Sequence, residues 1–361
     1  MTLTCQAAVL FAPGRPMEIK EIRLAPPQPG EVLVRTGAAG ICGTDLHFAA
    51  GAFPYPSPTV LGHEASGTVE AVGDGVTTVV PGDRVIVCDQ TFCGQCAACL
   101  SGAMVYCTDP TPKQRQRHRL SLNGEPIRQY LGVSAFAERM VVDAHAVIPL
   151  PDRISFEAAA LLSCCLTTGL ATVFNINRPE PGSSVAVIGT GGVGLGAVQG
   201  ARIAGATRII AVDLHEHRLA VAKDVGATDT VLAGREDTAA AITALTGTGV
   251  DHAIEAVGLP ETAVQAFTAL APGGRATIIG MMPMGADIPL PGRLLRAGRS
   301  LAGTVMGSVR TRADIPHYAE MLLRGSLHAE PLITSTRPLK GINDAFGEAS
   351  AGTGVRAMIR F

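Results

Sequence analysis

The stretch from residue 184 to residue 213 constrains this chain more than any other. SVAVI is an apolar, β-branched run of strand length. GTGGVG follows at once, then a helix-like stretch, LGAVQGARIAGA, and a second strand-like run, RIIAVD. Gly189, Gly191 and Gly194 spell G-x-G-x-x-G. Between a strand and a helix, the first glycine allows a tight turn, the second lets a pyrophosphate approach the backbone, and the third lets helix and strand pack closely. The helix start offers unpaired N–H groups and a positive dipole end to phosphate. Asp213 comes nineteen residues after Gly194, where a carboxylate meets a ribose diol. The expected ligand is NAD, bound by Gly189, Gly191, Gly192, Val193, Gly194 and Asp213.

The texture on either side divides the chain. Before about residue 160, short strand-like runs (EVLVRTGAA, TVLGHEASGTVEAV, DRVIVC) are separated by Gly/Pro turns. That pattern predicts a β-barrel-like domain. After residue 183, strands alternate with helices: TVLA, GVDHAIEAVG, GGRATIIG and SLAGTVMG follow the first two strands. Alternation of this kind predicts a doubly wound parallel sheet of the Rossmann type. A helix, IPHYAEMLLRG, and a strand, VRAMIRF, occupy the tail. The expected fold is therefore α/β and two-domain. The catalytic domain is discontinuous, residues 1–165 with 306–361, and the NAD domain spans 166–305.

Nine cysteines occur: Cys5, Cys42, Cys88, Cys93, Cys96, Cys99, Cys107, Cys164 and Cys165. The count is odd and four crowd into one short segment, which favours metal binding over a disulfide framework. Cys93, Cys96, Cys99 and Cys107 give C-x2-C-x2-C-x7-C. Four thiolates suit a closed tetrahedral zinc site with no position left for substrate, hence a structural metal. Free cysteines or an iron–sulfur cluster are the other readings such spacing permits. Cys42, His63 with Glu64, and Cys164 lie in separate segments, and none marks a site alone.

Together these segments resemble the zinc-dependent alcohol dehydrogenases of the medium-chain dehydrogenase/reductase family. The resemblance rests on GICGTDLH, LGHEASGTVEAVG, the four-cysteine loop, CCLTTG, GEPIRQYLGVSAFAERMVV and GVRAMIRF, nearly end to end. It is strongest to the branch holding the animal liver enzymes and the glutathione-dependent formaldehyde dehydrogenases. It implies a GroES-like β-barrel catalytic domain and two zinc ions per chain. Cys42, His63 and one cysteine before T-T-G hold the catalytic ion; the family spacing selects Cys164 over Cys165. The fourth position is open to the substrate oxygen. The resemblance further gives Thr44 the alcohol proton, His47 its relay to solvent, and Asp45 the orientation of His63. Glu64 is either an acid behind the zinc that ligates transiently or half of an internal salt bridge. Thr168 and Val193 are matched to the nicotinamide, Arg356 to the pyrophosphate and Arg218 to the adenosine ribose. Gly43 departs from the family, which often carries Arg or His there to bond a phosphate; glycine predicts weaker NAD binding.

The pocket positions are matched by Phe53, Tyr130, Leu131, Met281 and Val305, mostly apolar, with Asp89 as the exception. Asp89 either caps N–H groups of the zinc loop or contacts substrate. The formaldehyde branch anchors glutathione through acids just after GICGTD and an arginine after the fourth cysteine. Here Phe53, Tyr55 and Thr111 stand near those positions, with Arg115 and Arg117 close by. The expected reaction is hydride transfer between NAD and a medium-chain or aromatic alcohol or its aldehyde. S-(hydroxymethyl)glutathione oxidation, polyol or amino-alcohol oxidation, and a non-catalytic zinc and NAD protein are the alternatives. The net charge of −2 and the absence of a basic run argue against nucleic acid as partner. The N-terminus lacks a signal-peptide pattern and no apolar run reaches membrane length, so a cytoplasmic location without membrane contact is expected. The length of the segment between Cys107 and Tyr130 leans, by resemblance, towards a homodimer.

Overall fold

A computed structural model describes residues 3–115 and 119–361. The chain divides into two compact units, Met1–Cys164 with Arg310–Phe361, and Cys165–Val309. Cys165 and residues 306–309, expected in the discontinuous unit, fall in the other one. The physical reason is local packing. Cys165 opens the helix Cys165–Ala171, and the turn Met306–Ser308 lies so close to it that a Cβ on Gly307 would stand 2.3 Å from the Thr172 nitrogen.

The first unit is β-rich, as expected, but holds two sheets. Leu3–Leu10, Glu18–Leu24, Leu120–Leu122, Glu125–Gln129 and Thr59–Val60 close into a small barrel. The second sheet is seven-stranded and centres on Glu31–Gly40, which pairs with Glu64–Val72, Arg139–Asp143 and the C-terminal strand Arg356–Arg360. Every residue of Glu31–Gly40 but Arg35 is buried, because the strand is covered on both faces rather than alternating inward and outward. Two bulges interrupt its pairing with Glu64–Val72. Past them the ladder continues to Gly40 opposite Glu64, two residues before Cys42. One apolar core, including Tyr130, Phe136, Ile22 and Leu24, joins barrel and sheet.

The second unit is a six-stranded, wholly parallel sheet. Its order is Asp229–Leu232, Arg208–Asp213, Ser184–Ile188, Val250–Glu255, Leu270–Ile278, Ser300–Gly303. That is the 3-2-1-4-5-6 order of a doubly wound nucleotide-binding fold, and the expected Rossmann sheet is present. The order reverses between Ser184–Ile188 and Val250–Glu255, beside the glycine turn. No single helix among the described residues is long and apolar enough to cross a membrane.

Candidate active site

Three segments of the first unit bring Cys42, His63 and Cys164 together, with their ligand atoms all within 4.8 Å of one another. Each arrives for a local reason. Cys42 is the N-cap of the helix Gly43–Ala50, and its N–H donates to the Asp45 carboxylate at 2.9 Å, closing the helix start. The other Asp45 oxygen faces the Gly62 N–H at 3.3 Å and His63 Nδ1 at 3.1 Å. Nδ1 thus bears the proton and Nε2 is left as the coordinating atom. Ser163 supplies the third link. The Ala65 N–H donates to its Oγ at 2.9 Å, which fastens the end of the helix Phe156–Ser163 to the strand that starts at Glu64. Cys164 Sγ then lies 3.5 Å from His63 Nε2.

The donor set fits zinc. With bonds of about 2.3 Å to sulfur and about 2.05 Å to nitrogen, a tetrahedral site separates S and N by about 3.6 Å. The electrostatics agree. A hydrogen bond from Cys164 and the neighbouring His63 hold the Cys42 thiol well below its ordinary range. The hydrogen bond with Cys42, burial and the Cys42 charge in turn push Cys164 up. Burial opposes a charge on His63, yet Asp45 and Cys42 outweigh it and raise the imidazole. A buried group that draws positive charge in this way accepts a dication in place of protons.

Glu64 is fully buried, and Gly40 leaves room for it: a Cβ there would stand 2.0 Å from Glu64 Oε2. Its carboxylate pairs with the buried Arg356, Nε to Oε2 at 3.3 Å. Arg356 Nη1 also donates to the Ile41 carbonyl at 2.6 Å, next to Cys42. The C-terminal strand therefore clamps the loop that presents the first zinc ligand. Arg356, matched to the pyrophosphate by resemblance, thus also holds an ion pair with Glu64 within the first unit.

The four-cysteine loop fits a second zinc. Neighbouring sulfurs in a tetrahedral thiolate site stand about 3.8 Å apart. Cys96 Sγ lies 3.5 Å from Cys99 Sγ and 3.8 Å from Cys107 Sγ, and Cys93 Sγ lies 3.9 Å from Cys99 Sγ. All nine cysteines are free. N–H groups of Cys93, Gln95 and Cys96 point at these sulfurs. Backbone hydrogen bonds from Cys99 and Thr108 draw the Cys96 thiol down to about 6, whereas burial pushes Cys99 up to about 12.

Asp89 precedes the four-cysteine loop by four positions. It is half-buried, and burial raises its carboxyl, with His63 and Cys42 as its strongest charged neighbours. Its charge also acts on Cys164 and Tyr130. Tyr130 is fully buried with its ring edge-on to His63 at 6.0 Å. Phe53 is half-buried and packs against Phe48 and the exposed His47. Leu131 adopts φ 48°, in the left-handed region that costs a bulky residue about 1–2 kcal/mol. Arg117 lies outside the described residues.

In the second unit, the glycine turn fits a dinucleotide. Gly189 has φ 90°, and a Cβ on Gly194 would stand 1.8 Å from the Gly189 carbonyl oxygen, whereas one on Gly191 would meet nothing within 4 Å. Gly191 caps the helix Gly192–Ile203, whose first-turn N–H groups have no partner within the helix. Asp213 closes its strand and accepts from Thr190 and His215. Thr168 is buried in Cys165–Ala171; Val193 and Arg218 are half-buried. Met281 is half-buried and Val305 is 46% exposed, both within this unit. The Thr190–Asp213 contact escaped the sequence reading; the only signal for it was a hydroxyl residue between the first two glycines.

Two family profiles match: the alcohol dehydrogenase GroES-like domain over residues 28–152 and the zinc-binding dehydrogenase over residues 192–324. The chain is 39% identical over 366 aligned positions to an S-(hydroxymethyl)glutathione dehydrogenase of Synechocystis, covering 99% of both. An alcohol dehydrogenase zinc-binding domain protein of Burkholderia ambifaria superposes with a TM-score of 0.95 at 35% identity, covering 100% of both chains. Benzyl alcohol dehydrogenase of Acinetobacter calcoaceticus gives 0.92 at 31%, covering 99% of both. The chain belongs to the zinc-binding alcohol dehydrogenases of the medium-chain dehydrogenase/reductase family. It is an NAD-linked oxidoreductase that uses two zinc ions per chain and acts on small alcohols or aldehydes.

Proposed function

We propose that the chain interconverts an aromatic or medium-chain alcohol with its carbonyl compound, using NAD, without dependence on glutathione. The observation that carries this reading is the buried Cys42, His63 and Cys164 set, a three-ligand site beside apolar and aromatic side chains. Cys42, His63 and Cys164 would hold a zinc ion, which would supply a Lewis acid that lowers the pKa of a substrate alcohol. Asp45 orients His63 for that task, and the Glu64–Arg356 pair holds the Cys42 loop. Thr44 and His47 are three residues apart on one helix and so share a face. Thr44 takes the alcohol proton, and exposed His47 passes it to solvent, a role suited to an imidazole. Gly189, Gly191, Gly192, Val193 and Gly194 cradle the pyrophosphate, and Asp213 binds the ribose. Thr168 and Val193 adjoin the nicotinamide, and Arg218 the adenosine ribose. Gly43 leaves its side-chain space open, so the coenzyme lacks a phosphate partner there. By the resemblance, Phe53, Tyr130 and Leu131 of the first unit and Met281 and Val305 of the second are assigned to apolar substrate contacts, with Asp89 as the one acid. The chain is read as a homodimer, on the resemblance alone, and as cytoplasmic, on the sequence expectation alone.

A second reading is S-(hydroxymethyl)glutathione oxidation, favoured by the identity to the Synechocystis enzyme of that name. Phe53, Tyr55 and Thr111 near the glutathione-anchoring positions weigh against it. The deciding measurement is kcat/KM for benzyl alcohol, hexanol, a diol and S-(hydroxymethyl)glutathione. Benzyl alcohol or hexanol is expected to exceed the glutathione adduct by at least about tenfold, the worth of one lost charge-assisted contact. A clear lead for the adduct replaces the first reading with the second. If a diol leads and Asp89→Ala abolishes that lead, Asp89 contacts substrate and the enzyme prefers polyols.

A further inference from the structure

Thr190 stands between Gly189 and Gly191, and its side chain grips the acid assigned to the coenzyme ribose. It is fully buried. Its N–H donates to Asp213 Oδ2 at 2.8 Å and its hydroxyl to the same oxygen at 3.0 Å. The His215 N–H donates to Oδ1 at 3.0 Å. An ionised carboxylate offers about four acceptor positions. Thr190 fills both on Oδ2 and His215 fills one on Oδ1, which leaves a single acceptor, on Oδ1. The carboxylate cannot turn without giving up a charge-assisted bond, in a place where Asp213 is only 7% exposed.

We propose that Thr190 is a positioning residue for coenzyme selection: its hydroxyl locks Asp213 so that the remaining Oδ1 acceptor meets a ribose diol and the fixed negative charge meets a 2′-phosphate. This rests on the reading of Asp213 as the ribose-binding acid. It adds that the selectivity resides in the pair, because an acid that has lost one of its three donors is held less firmly, binds the diol less well and yields more to a phosphate.

The chain has no tryptophan, so the emission of the reduced nicotinamide itself reports binding without a protein background. Zinc-loaded unmutated protein, Thr190→Val, Thr190→Ser and Asp213→Asn are titrated with NADH and NADPH. Thr190→Val keeps the shape and removes the hydroxyl; it is expected to weaken NADH roughly tenfold and to narrow the NADH-to-NADPH preference by a similar factor. In turnover the KM for NAD rises by more than kcat changes. Thr190→Ser restores the hydroxyl and is expected to stay within about twofold of the unmutated protein. Thr190→Ala is the second hydroxyl-free variant should Thr190→Val not yield folded protein. The inference is overturned if the hydroxyl-free variant binds like the unmutated protein while Asp213→Asn loses affinity. It is equally overturned if Thr190→Ser binds as poorly as Thr190→Val, since the effect then belongs to packing. If Asp213→Asn leaves the preference unchanged, the assignment of Asp213 fails and this inference fails with it.

Discussion

Cys164→Ala is expected to lower benzyl alcohol turnover by at least about 10³-fold, because a Lewis acid worth several kcal/mol is lost with the ion. Zinc content should fall from two ions per chain to about one, since the four-cysteine loop is untouched. The fold should persist. Cys164 caps the end of a helix that Ser163 already fastens, and Ser163 is unchanged by the substitution. Cys165→Ala is the control. Cys165 is fully buried at the opening of Cys165–Ala171 and stands outside the ligand cluster, so both zinc ions should be retained. Elemental analysis beside steady-state NADH production reads both effects. If Cys165→Ala were the variant that lost the ion, the third ligand would have to be reassigned.

The unmutated enzyme is expected to prefer NAD over NADP by at least about a hundredfold in kcat/KM. A carboxylate and a 2′-phosphate about 4 Å apart repel by roughly 4 kcal/mol at an effective dielectric near 20, less where water screens them. Asp213 sits at the C-terminal end of its strand with one acceptor free, and no side-chain flexibility is available to relieve the clash. Asp213→Gly should bring the two coenzymes to within about tenfold, because it removes the repulsion and the diol contact together. Paired kcat/KM values for both coenzymes test this. Equal values in the unmutated enzyme would remove Asp213 from the coenzyme site.

The parallel sheet was legible because each strand is a short apolar run closed by a glycine or an acid, and the order strand, glycine turn, helix is local. The four-cysteine loop was legible for the same reason: its ligands lie in one short segment. The catalytic set was a different matter. His63 and Cys164 are 101 positions apart, and only the resemblance joined them. No periodicity predicts the Ser163 hydrogen bond that brings them into contact. Glu64 and Arg356 illustrate the same limit. Each looks like a separate functional residue in the sequence, and the pairing of the C-terminal strand with Gly40, Ala39 and Ala38 makes them partners. Asp89 was ambiguous because its position beside the zinc loop suggested capping. Three of the loop N–H groups turn to sulfur, and the charges nearest the acid are those of His63 and Cys42.

The central claim is that turnover runs through the ion at Cys42, His63 and Cys164, and graded metal removal tests it most directly. A mild chelator strips the fully loaded enzyme in steps, with zinc per chain and benzyl alcohol oxidation measured on each sample. Activity should fall in proportion as zinc drops from two towards one, reach background at one, and return when zinc is added back. Undiminished turnover with a single zinc per chain, or a fully loaded and active enzyme that never holds more than one, would contradict the account.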